Sequence, residues 1–342
     1  MRLLQFFPWL REAGIDCFVQ PLVSDELLKG RYLSGRYSVA KGYLAYIARM
    51  LQLLQRRQFD LIWIEKEALP WLPAWCELAL LRGVHYVLDY DDALFHNYDS
   101  HPNGLVRLLL GRRIDRLMAG ACLVVCGNDY LAQRARDAGA PWVEVVPTVI
   151  DLERYGAKPQ AGGQAVVPRI AWIGSPSTVQ YLAALEAPLA ALALLMPFKL
   201  RVIGGMLAMS GVDVECVRWT EDTEVESIAC CDVGIMPLTD SPWERGKCGY
   251  KLIQYMACGL PVVASPIGVN RQIVEEGING FLAEGAHAWV AKLALLLSDA
   301  DLNQKLGQAG RRRVEEEYCL QKVGPRLVNL LLNASNIKKC AD

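Results

Sequence analysis

Residues 247–265 read KCGYKLIQYMACGLPVVAS, and this stretch decides the fold class. It begins with a turn at Gly249, where the absence of a side chain lets the backbone approach a bound ligand closely. Apolar residues at helical spacing follow: Leu252, Ile253, Met256 and Ala257. Gly259 and Pro261 end the predicted helix. Residues 262–264 are a short apolar run, typical of a buried parallel strand. The stretch therefore predicts a helix-to-strand unit of an α/β protein.

Two lysines, Lys247 and Lys251, lie at the start of this helix, where cations oppose the helix dipole. Such a local mismatch indicates an anionic ligand beside the helix start. With Arg245 just before them, these cations could neutralise a diphosphate without a metal ion. The alternative is a solvated basic turn.

Composition limits the class of protein. The chain has 342 residues, enough for two domains, with 53% hydrophobic and 21% charged residues. The net charge of -1 gives no indication of nucleic-acid binding. The eleven cysteines form no CxxC pair and the four histidines no HxxxH pair, which predicts reduced thiols, a cytoplasmic protein and no metal site.

Apolar strand-like runs alternate with helical segments twice along the chain. The predicted strands are 17–22, 60–65, 85–90, 122–127, 143–147, 169–173, 200–203, 212–217, 233–236 and 262–264. Helices are predicted between them, including 71–81 and 105–118. This order predicts two doubly wound parallel sheets. We expect one domain from residues 1–155 with 319–342, a Gly/Pro-rich linker at 156–167, and a second domain at 168–318.

The chain begins with helical spacing over residues 2–14, where an α/β domain usually begins with a strand. We therefore expect the first strand of the sheet to be missing, which would leave unpaired edges. On this expectation the chain is unstable or inactive without about 20 upstream residues, the length of one strand and a loop.

Two glycine-containing loops follow predicted strands. Gly174, Ser175, Ser177 and Thr178 come directly after strand 169–173 and could cradle a phosphate with backbone amides and hydroxyls. The alternative is that Ser177 or Thr178 simply caps the next helix. Another loop, which carries Gly268 and Asn270, follows strand 262–264 and could lie over a ligand.

Acidic residues follow the strand at 85–90. Asp91, Asp92 and His96 lie just beyond its carboxyl end, where open α/β sheets bind ligands. Clustered carboxylates perturb one another's pKa values, as groups that transfer protons do. A metal-binding Asp pair and simple helix capping are the alternatives.

A one-sided charge bias marks residues 27–57, which contain seven Lys and Arg residues, several tyrosines and no acid. A basic, aromatic and amphipathic segment suits an anionic membrane surface. The alternative is a helix packed on a sheet with a solvated basic face.

Residues 251–265, followed by Gly268 and by EGINGFL at 276–282, resemble the donor-binding signature of family 4 glycosyltransferases. VVPTVID at 145–151 is similar to the junction between that family's domains. The resemblance implies the GT-B fold, which has two Rossmann-like domains facing a cleft and a final helix that crosses back to the first. It also implies a retaining, metal-independent transferase that takes a nucleotide-diphosphate sugar as co-substrate and needs no cofactor.

The sequence departs from that family at its acidic positions. Gly246 and Gln254 stand where the family usually has two glutamates, so Gln254 could bind a ribose hydroxyl only as an uncharged group. Ser175 stands where a basic residue is common, which leaves the phosphate charge to Lys247, Lys251 and Arg245. Asp91 stands where many members have a histidine.

The sequence therefore predicts a hexosyltransferase of polysaccharide or glycolipid assembly. Asp91, Asp92, His96 and Lys251 are its candidate catalytic residues. Its acceptor would be a saccharide or a lipid-linked sugar, reached in the cytoplasm or at the inner face of the membrane. A sugar-nucleotide epimerase on the same fold and a non-catalytic nucleotide-sugar-binding homologue are the alternatives.

Overall fold

The chain forms two compact units in the computed structural model, which describes residues 2–24, 39–156 and 167–337. Unit 1 comprises Met1–Val146 and Gly324–Asp342, and unit 2 comprises Pro147–Val323. The boundaries thus differ by several residues from the expected 155 and 319. Most of the expected linker, and the first part of the basic segment at 27–57, lie outside the described residues.

Unit 1 contains a four-stranded parallel sheet. Its strands, in their order across the sheet, are β1 (Leu61–Glu65), β2 (His85–Tyr90), β3 (Leu123–Cys126) and β4 (Val143–Val145). Its helices are α1 (Phe7–Glu12), α2 (Val39–Leu54), α3 (Ala74–Leu81), α4 (His96–Asp99), α5 (Gly104–Leu110), α6 (Arg113–Gly120) and α7 (Asp129–Asp137). All four residues of β3 are buried, as expected of a central parallel strand covered on both faces.

Unit 2 contains a six-stranded parallel sheet. Its strands, in chain order, are β5 (Arg169–Ile173), β6 (Lys199–Ile203), β7 (Asp213–Val217), β8 (Val233–Met236), β9 (Val262–Ala264) and β10 (Gly280–Leu282), and their order across the sheet is β10-β9-β8-β5-β6-β7. Its helices are α8 (Val179–Ala183), α9 (Glu186–Leu195), α10 (Glu224–Ala229), α11 (Pro242–Arg245), α12 (Tyr250–Ala257), α13 (Asn270–Ile273), α14 (Gly285–Ser298) and α15 (Ala300–Glu317). The predicted helix-to-strand unit is α12 followed by β9, and β10 is a strand that the sequence did not predict.

The last helix, α16 (Leu320–Ser335), is divided between the units. Its first residue is held in unit 2, because the Leu320 amide donates to the Ile150 carbonyl at 2.8 Å. From Gly324 onward it belongs to unit 1, where Gly324 packs directly on the indole of Trp9. A helix continuous across the boundary is the feature that the resemblance implied.

Three local predictions were wrong. Residues 17–22 form no strand, because β1 pairs only with β2 among the described residues and offers this segment no ladder. The helix expected over 105–118 is interrupted around Gly111, between α5 and α6. The helix expected from Trp71 begins only after Pro73, because proline disfavours helical geometry in the residue before it.

Within the described ranges no single helix is long and apolar enough to cross a bilayer. One bent pair of helices, Pro176–Ala183 with Glu186–Leu195, is long and apolar enough when the two are taken together.

Candidate functional site

Side chains from two separate segments of unit 2 meet at Gly174, just beyond the carboxyl end of β5. A Cβ atom placed on Gly174 would lie 2.6 Å from Thr178 Oγ1 and 2.7 Å from Lys251 Nζ. The Gly174 amide is anchored to the Ile203 carbonyl at 3.0 Å, so the backbone cannot easily move aside. A side chain at this position would therefore displace these groups, whereas glycine leaves a hydroxyl and an ammonium group together at the sheet edge where α/β proteins bind ligands.

Lys251 is the most perturbed cation of this region. Its Nζ lies 4.3 Å from the centroid of the buried Trp172 ring, a cation–π contact. Burial, together with the nearby charge of Lys247, lowers the pKa of Lys251 to about 7. No described acidic side chain forms a salt bridge with Lys251. A buried cation without an acidic partner favours binding of an anion from outside the protein.

The hydroxyl groups of the same loop are close together. Ser175 Oγ and Ser177 Oγ are 2.9 Å apart, and Thr178 Oγ1 donates to the Ser175 carbonyl at 2.9 Å. No side-chain cap is formed at the start of the 3₁₀ turn Pro176–Thr178 or of α8. The simple capping alternative is therefore wrong, and of the four predicted residues Gly174 and Thr178 lie beside Lys251.

Two residues of this region, Glu244 and Tyr181, were not identified from the sequence. Glu244 is buried and accepts hydrogen bonds from the hydroxyls of Tyr181 and Ser241. The Tyr181 ring in turn lies 5.9 Å from Lys247 Nζ. A buried carboxylate thus stands two residues from Gly246, where the sequence lacks one. Its sequence signal was weak, because an isolated acid in a basic turn resembles a surface charge.

Arg245 is turned toward an acid of its own loop. It makes a two-point salt bridge to Asp240 at 2.7 and 3.0 Å, and both side chains are about half exposed. The contact with Arg245 lowers the pKa of Asp240. Part of the positive charge predicted for the phosphates is therefore already compensated in this structure.

The glycines predicted to approach the ligand serve close packing. Gly249 has a left-handed backbone (φ 66°), and a Cβ atom there would collide with Ile273. At Gly268, also left-handed (φ 52°), a Cβ atom would lie 2.7 Å from the Arg245 carbonyl oxygen. Asn270 is buried and donates to the Ser265 carbonyl at 3.0 Å. These residues thus allow close packing of the loops against Ile273 and Arg245.

Gln254 lies inside unit 2. Its side-chain amide donates to the Tyr155 hydroxyl at 3.1 Å, and that hydroxyl donates to the buried Glu224. Only 3% of Gln254 is exposed. The side chain predicted to meet a ribose therefore stabilises a buried polar network in this structure.

In unit 1, Asp91 and Asp92 come together at the carboxyl edge of the sheet around a lysine. Lys66 Nζ lies 3.1 Å from Asp91 Oδ1 and 3.8 Å from Asp92 Oδ2. Burial alone would lower the pKa of Lys66, but the two carboxylates outweigh burial and raise it. Lys66 has a left-handed backbone (φ 66°), which is strained for a residue with a side chain. Nothing in the local sequence indicates this conformation.

His96 belongs to another cluster. Its Nδ1 is 2.8 Å from Asp99 Oδ1 and its Nε2 is 2.9 Å from the Tyr130 hydroxyl. Asp99 also pairs with Arg134 at 3.1 Å. Both ring nitrogens of His96 are therefore engaged within this second cluster.

The loop that carries Lys66, residues 66–73, is held by a buried arginine. Arg113 of α6 contacts Glu67 at 2.9 Å and Glu77 at 2.5 Å. It also donates to the Leu69 carbonyl at 2.8 Å. Two carboxylates and one guanidinium are thus buried together, so each depends on the others for compensation.

Across residues 2–24, 39–156 and 167–337, no set of three or more His, Cys, Asp or Glu side chains is arranged to hold a metal ion.

Both halves of the chain match models of known protein families. Residues 10–149 match the family described as glycosyl transferase 4-like domain, and residues 167–299 match glycosyl transferases group 1. Spore coat protein SA of Bacillus subtilis is 32% identical over 78 residues, which are 22% of this chain and 21% of that protein. N-acetyl-alpha-D-glucosaminyl L-malate synthase of Bacillus anthracis is 32% identical over 82 residues, 23% and 22% of the two chains. These alignments span about a fifth of each curated relative.

Solved structures resemble the chain over most of its length. The glycosyltransferase of Rickettsia africae aligns with a TM-score of 0.68 at 14% identity and covers 98% of this chain and 94% of that one. HepE of Anabaena, solved with UDP-glucose, aligns with a TM-score of 0.67 at 16% identity over 96% and 88%. At such identities the likeness concerns the fold, and it confirms the predicted GT-B class with two parallel-sheet α/β domains.

Proposed function

Because the chain belongs to the glycosyl transferases, matched by family models in both units, we propose that it transfers a sugar from a nucleotide-diphosphate sugar to a saccharide acceptor. The observation that carries the proposal is the convergence of Lys251, Thr178 and Gly174 at the end of β5, inside the group 1 match. The complexes of Anabaena HepE with UDP and with UDP-glucose support this choice of donor.

In the proposed reaction, an acceptor oxygen bonds to the anomeric carbon as the bond from that carbon to the phosphate oxygen breaks. Negative charge then develops on the departing nucleoside diphosphate. Lys251, Lys247 and the Thr178 hydroxyl would stabilise this charge without a metal ion. Transfer with retention follows from the resemblance to family 4, and the anomeric configuration of the product, read by NMR, tests it.

The donor can be found by thermal-shift measurements with UDP-, GDP-, ADP- and dTDP-sugars. We expect one nucleotide class to raise the apparent melting temperature by mass action, equally with and without EDTA. That donor should then release its nucleoside diphosphate when mono- and oligosaccharides are added. Absence of any stabilisation contradicts the proposal. An isomerised sugar nucleotide formed without acceptor would show an epimerase, and tight binding without turnover would show a non-catalytic homologue.

On the acceptor side, we propose that Asp91 accepts the proton of the acceptor hydroxyl, with Lys66 holding its carboxylate in place. Asp91→Asn is expected to lower transfer by about 10²–10⁴-fold, the usual contribution of a general base. The nucleotide-induced thermal shift should stay unchanged. Asp137→Asn, at an exposed site on α7, is the matched control. Equal activity of the Asp91→Asn variant and the wild type would remove Asp91 from the reaction.

The acceptor is proposed to be a growing polysaccharide or a lipid-linked sugar, presented at the inner face of the membrane. The support is α2, which carries Lys41 and no acid and exposes Tyr43, Leu44 and Ile47. A basic helix with exposed apolar residues is typical of proteins that bind an anionic membrane surface.

A further inference from the structure

Helix α5 (Gly104–Leu110) exposes three leucines on one side. Leu105, Leu108 and Leu109 are 60%, 81% and 63% exposed, whereas Leu110 is buried. Positions i, i+3 and i+4 of a helix lie on the same face, so the three side chains form one continuous apolar surface, here called the leucine ridge. Clustered exposed apolar side chains of this kind mark interaction sites.

Arginines are the charged side chains on the ridge helix, and the two flanking acids, Asp99 and Asp115, are paired with Arg134. Arg107 lies on α5 itself, and the exposed Arg112 and Arg116 follow at the start of α6. Residues 100–114 contain no acid. Neither Arg112 nor Arg116 has an acidic partner among the described side chains. Their charge is therefore available to an anion outside the protein.

The ridge is held in shape by its own loop. The Asn103 side chain accepts from the Leu105 amide at 2.9 Å and caps the helix. Arg107 Nη1 donates to the His101 carbonyl at 2.6 Å. The half-exposed indole of Trp71 lies edge-on to the His101 ring at 5.8 Å, beside the start of the helix. Tryptophan is enriched where protein surfaces meet the interfacial region of a membrane.

We propose that the leucine ridge docks unit 1 on an anionic membrane surface, with the leucines in the acyl boundary and Arg107 and Arg112 against lipid phosphates. A second copy of the chain fits poorly, because symmetric contact would bring arginines against arginines. Three leucines also cover far less than the roughly 800 Å² that each partner buries in a stable protein complex. A membrane needs no such area, because apolar insertion and attraction to anionic lipids act together.

The biological role of this docking rests on the proposed function. The docking itself is tested independently, because vesicle binding is measured without donor or acceptor. Full-length protein is sedimented with vesicles of phosphatidylcholine, with or without phosphatidylglycerol. We expect binding to the phosphatidylglycerol vesicles that weakens with salt. Leu108→Ser with Leu109→Ser should lower that binding by at least ~tenfold, while the nucleotide-induced thermal shift is retained.

The matched control is Leu194→Ser with Leu195→Ser, which replaces two leucines that are 89% and 69% exposed in unit 2. This control should bind vesicles as the wild type does. Arg112→Glu with Arg116→Glu should abolish the preference for phosphatidylglycerol. The proposal is overturned if the wild type binds no vesicles, if the ridge variant binds normally, or if only replacement of Tyr43 and Ile47 on α2 removes binding. Ridge-dependent dimers without vesicle binding would also overturn it.

Discussion

Replacing Lys251 with alanine is expected to lower sugar transfer by at least ~100-fold, because the charge that develops on the leaving diphosphate loses its nearest cation. Lys251 Nζ stands beside Gly174 at the end of β5 and has no described acidic partner. The measurement is release of nucleoside diphosphate at saturating donor. Lys305→Ala, at an exposed position on α15, is the control and should retain full activity. Near-normal turnover of Lys251→Ala would exclude this role.

The same residue should make donor binding depend on pH. Burial lowers the pKa of Lys251 to about 7, so the ammonium form is lost in the free protein as the pH rises through neutrality. The diphosphate of a nucleotide sugar carries no group that titrates near neutrality, so the affinity for the donor should fall above pH 7 by up to ~tenfold per pH unit. This pH dependence of the donor affinity should be absent in the Lys251→Ala variant. A wild-type affinity that is constant from pH 6 to pH 9 would contradict the assignment.

The lowered pKa of Lys251 also determines how its contribution to folding stability changes with pH. Between about pH 7 and the ordinary lysine value of 10.5, the unfolded chain holds a proton on Lys251 that the folded chain has lost. The contribution of this group to folding stability without ligand therefore rises with pH across that interval, and it is lost as the pH falls through it. A bound diphosphate should reverse the trend, because it favours the charged form.

Arg113→Ala is expected to destabilise unit 1 by about 3–5 kcal/mol, since Glu67 and Glu77 would be left buried without their cation. The loop at 66–73 would lose the hydrogen bond from Arg113 to the Leu69 carbonyl, and with it the support of Lys66. Hydrogen exchange of the loop amides measures the local effect, and urea unfolding measures the global one.

The control for this prediction is Arg116→Ala on the same helix. Arg116 is exposed and forms no salt bridge with any described side chain, so its replacement should change the free energy of unfolding by less than about 0.5 kcal/mol. If Arg113→Ala and Arg116→Ala lower the free energy of unfolding by the same amount, the buried carboxylates do not depend on Arg113. Reduced transfer together with faster exchange at 66–73 would link the support of Lys66 to the reaction.

Much of the fold could be predicted because its signals are local. In residues 247–265 the apolar spacing, the stop at Gly259 and Pro261, and the buried strand all lie within one stretch. The structure confirms them as α12 and β9. Residues 17–22 show the limit of such reasoning, because an apolar run becomes a strand only if another strand offers its backbone groups.

The same distinction between local patterns and tertiary contacts applies to the candidate site. By itself the sequence determined the two-unit α/β architecture. It placed Lys247 and Lys251 at the start of a helix, and Gly174 and the Asp91–Asp92 pair at the ends of strands, because chain order and strand direction decide which residues reach that edge. Only the tertiary structure decided that Lys66 joins the aspartates, that Glu244 holds Tyr181, and that Gln254 is buried. Each of these depends on contacts between residues far apart in the chain, whose distances and burial no local pattern records.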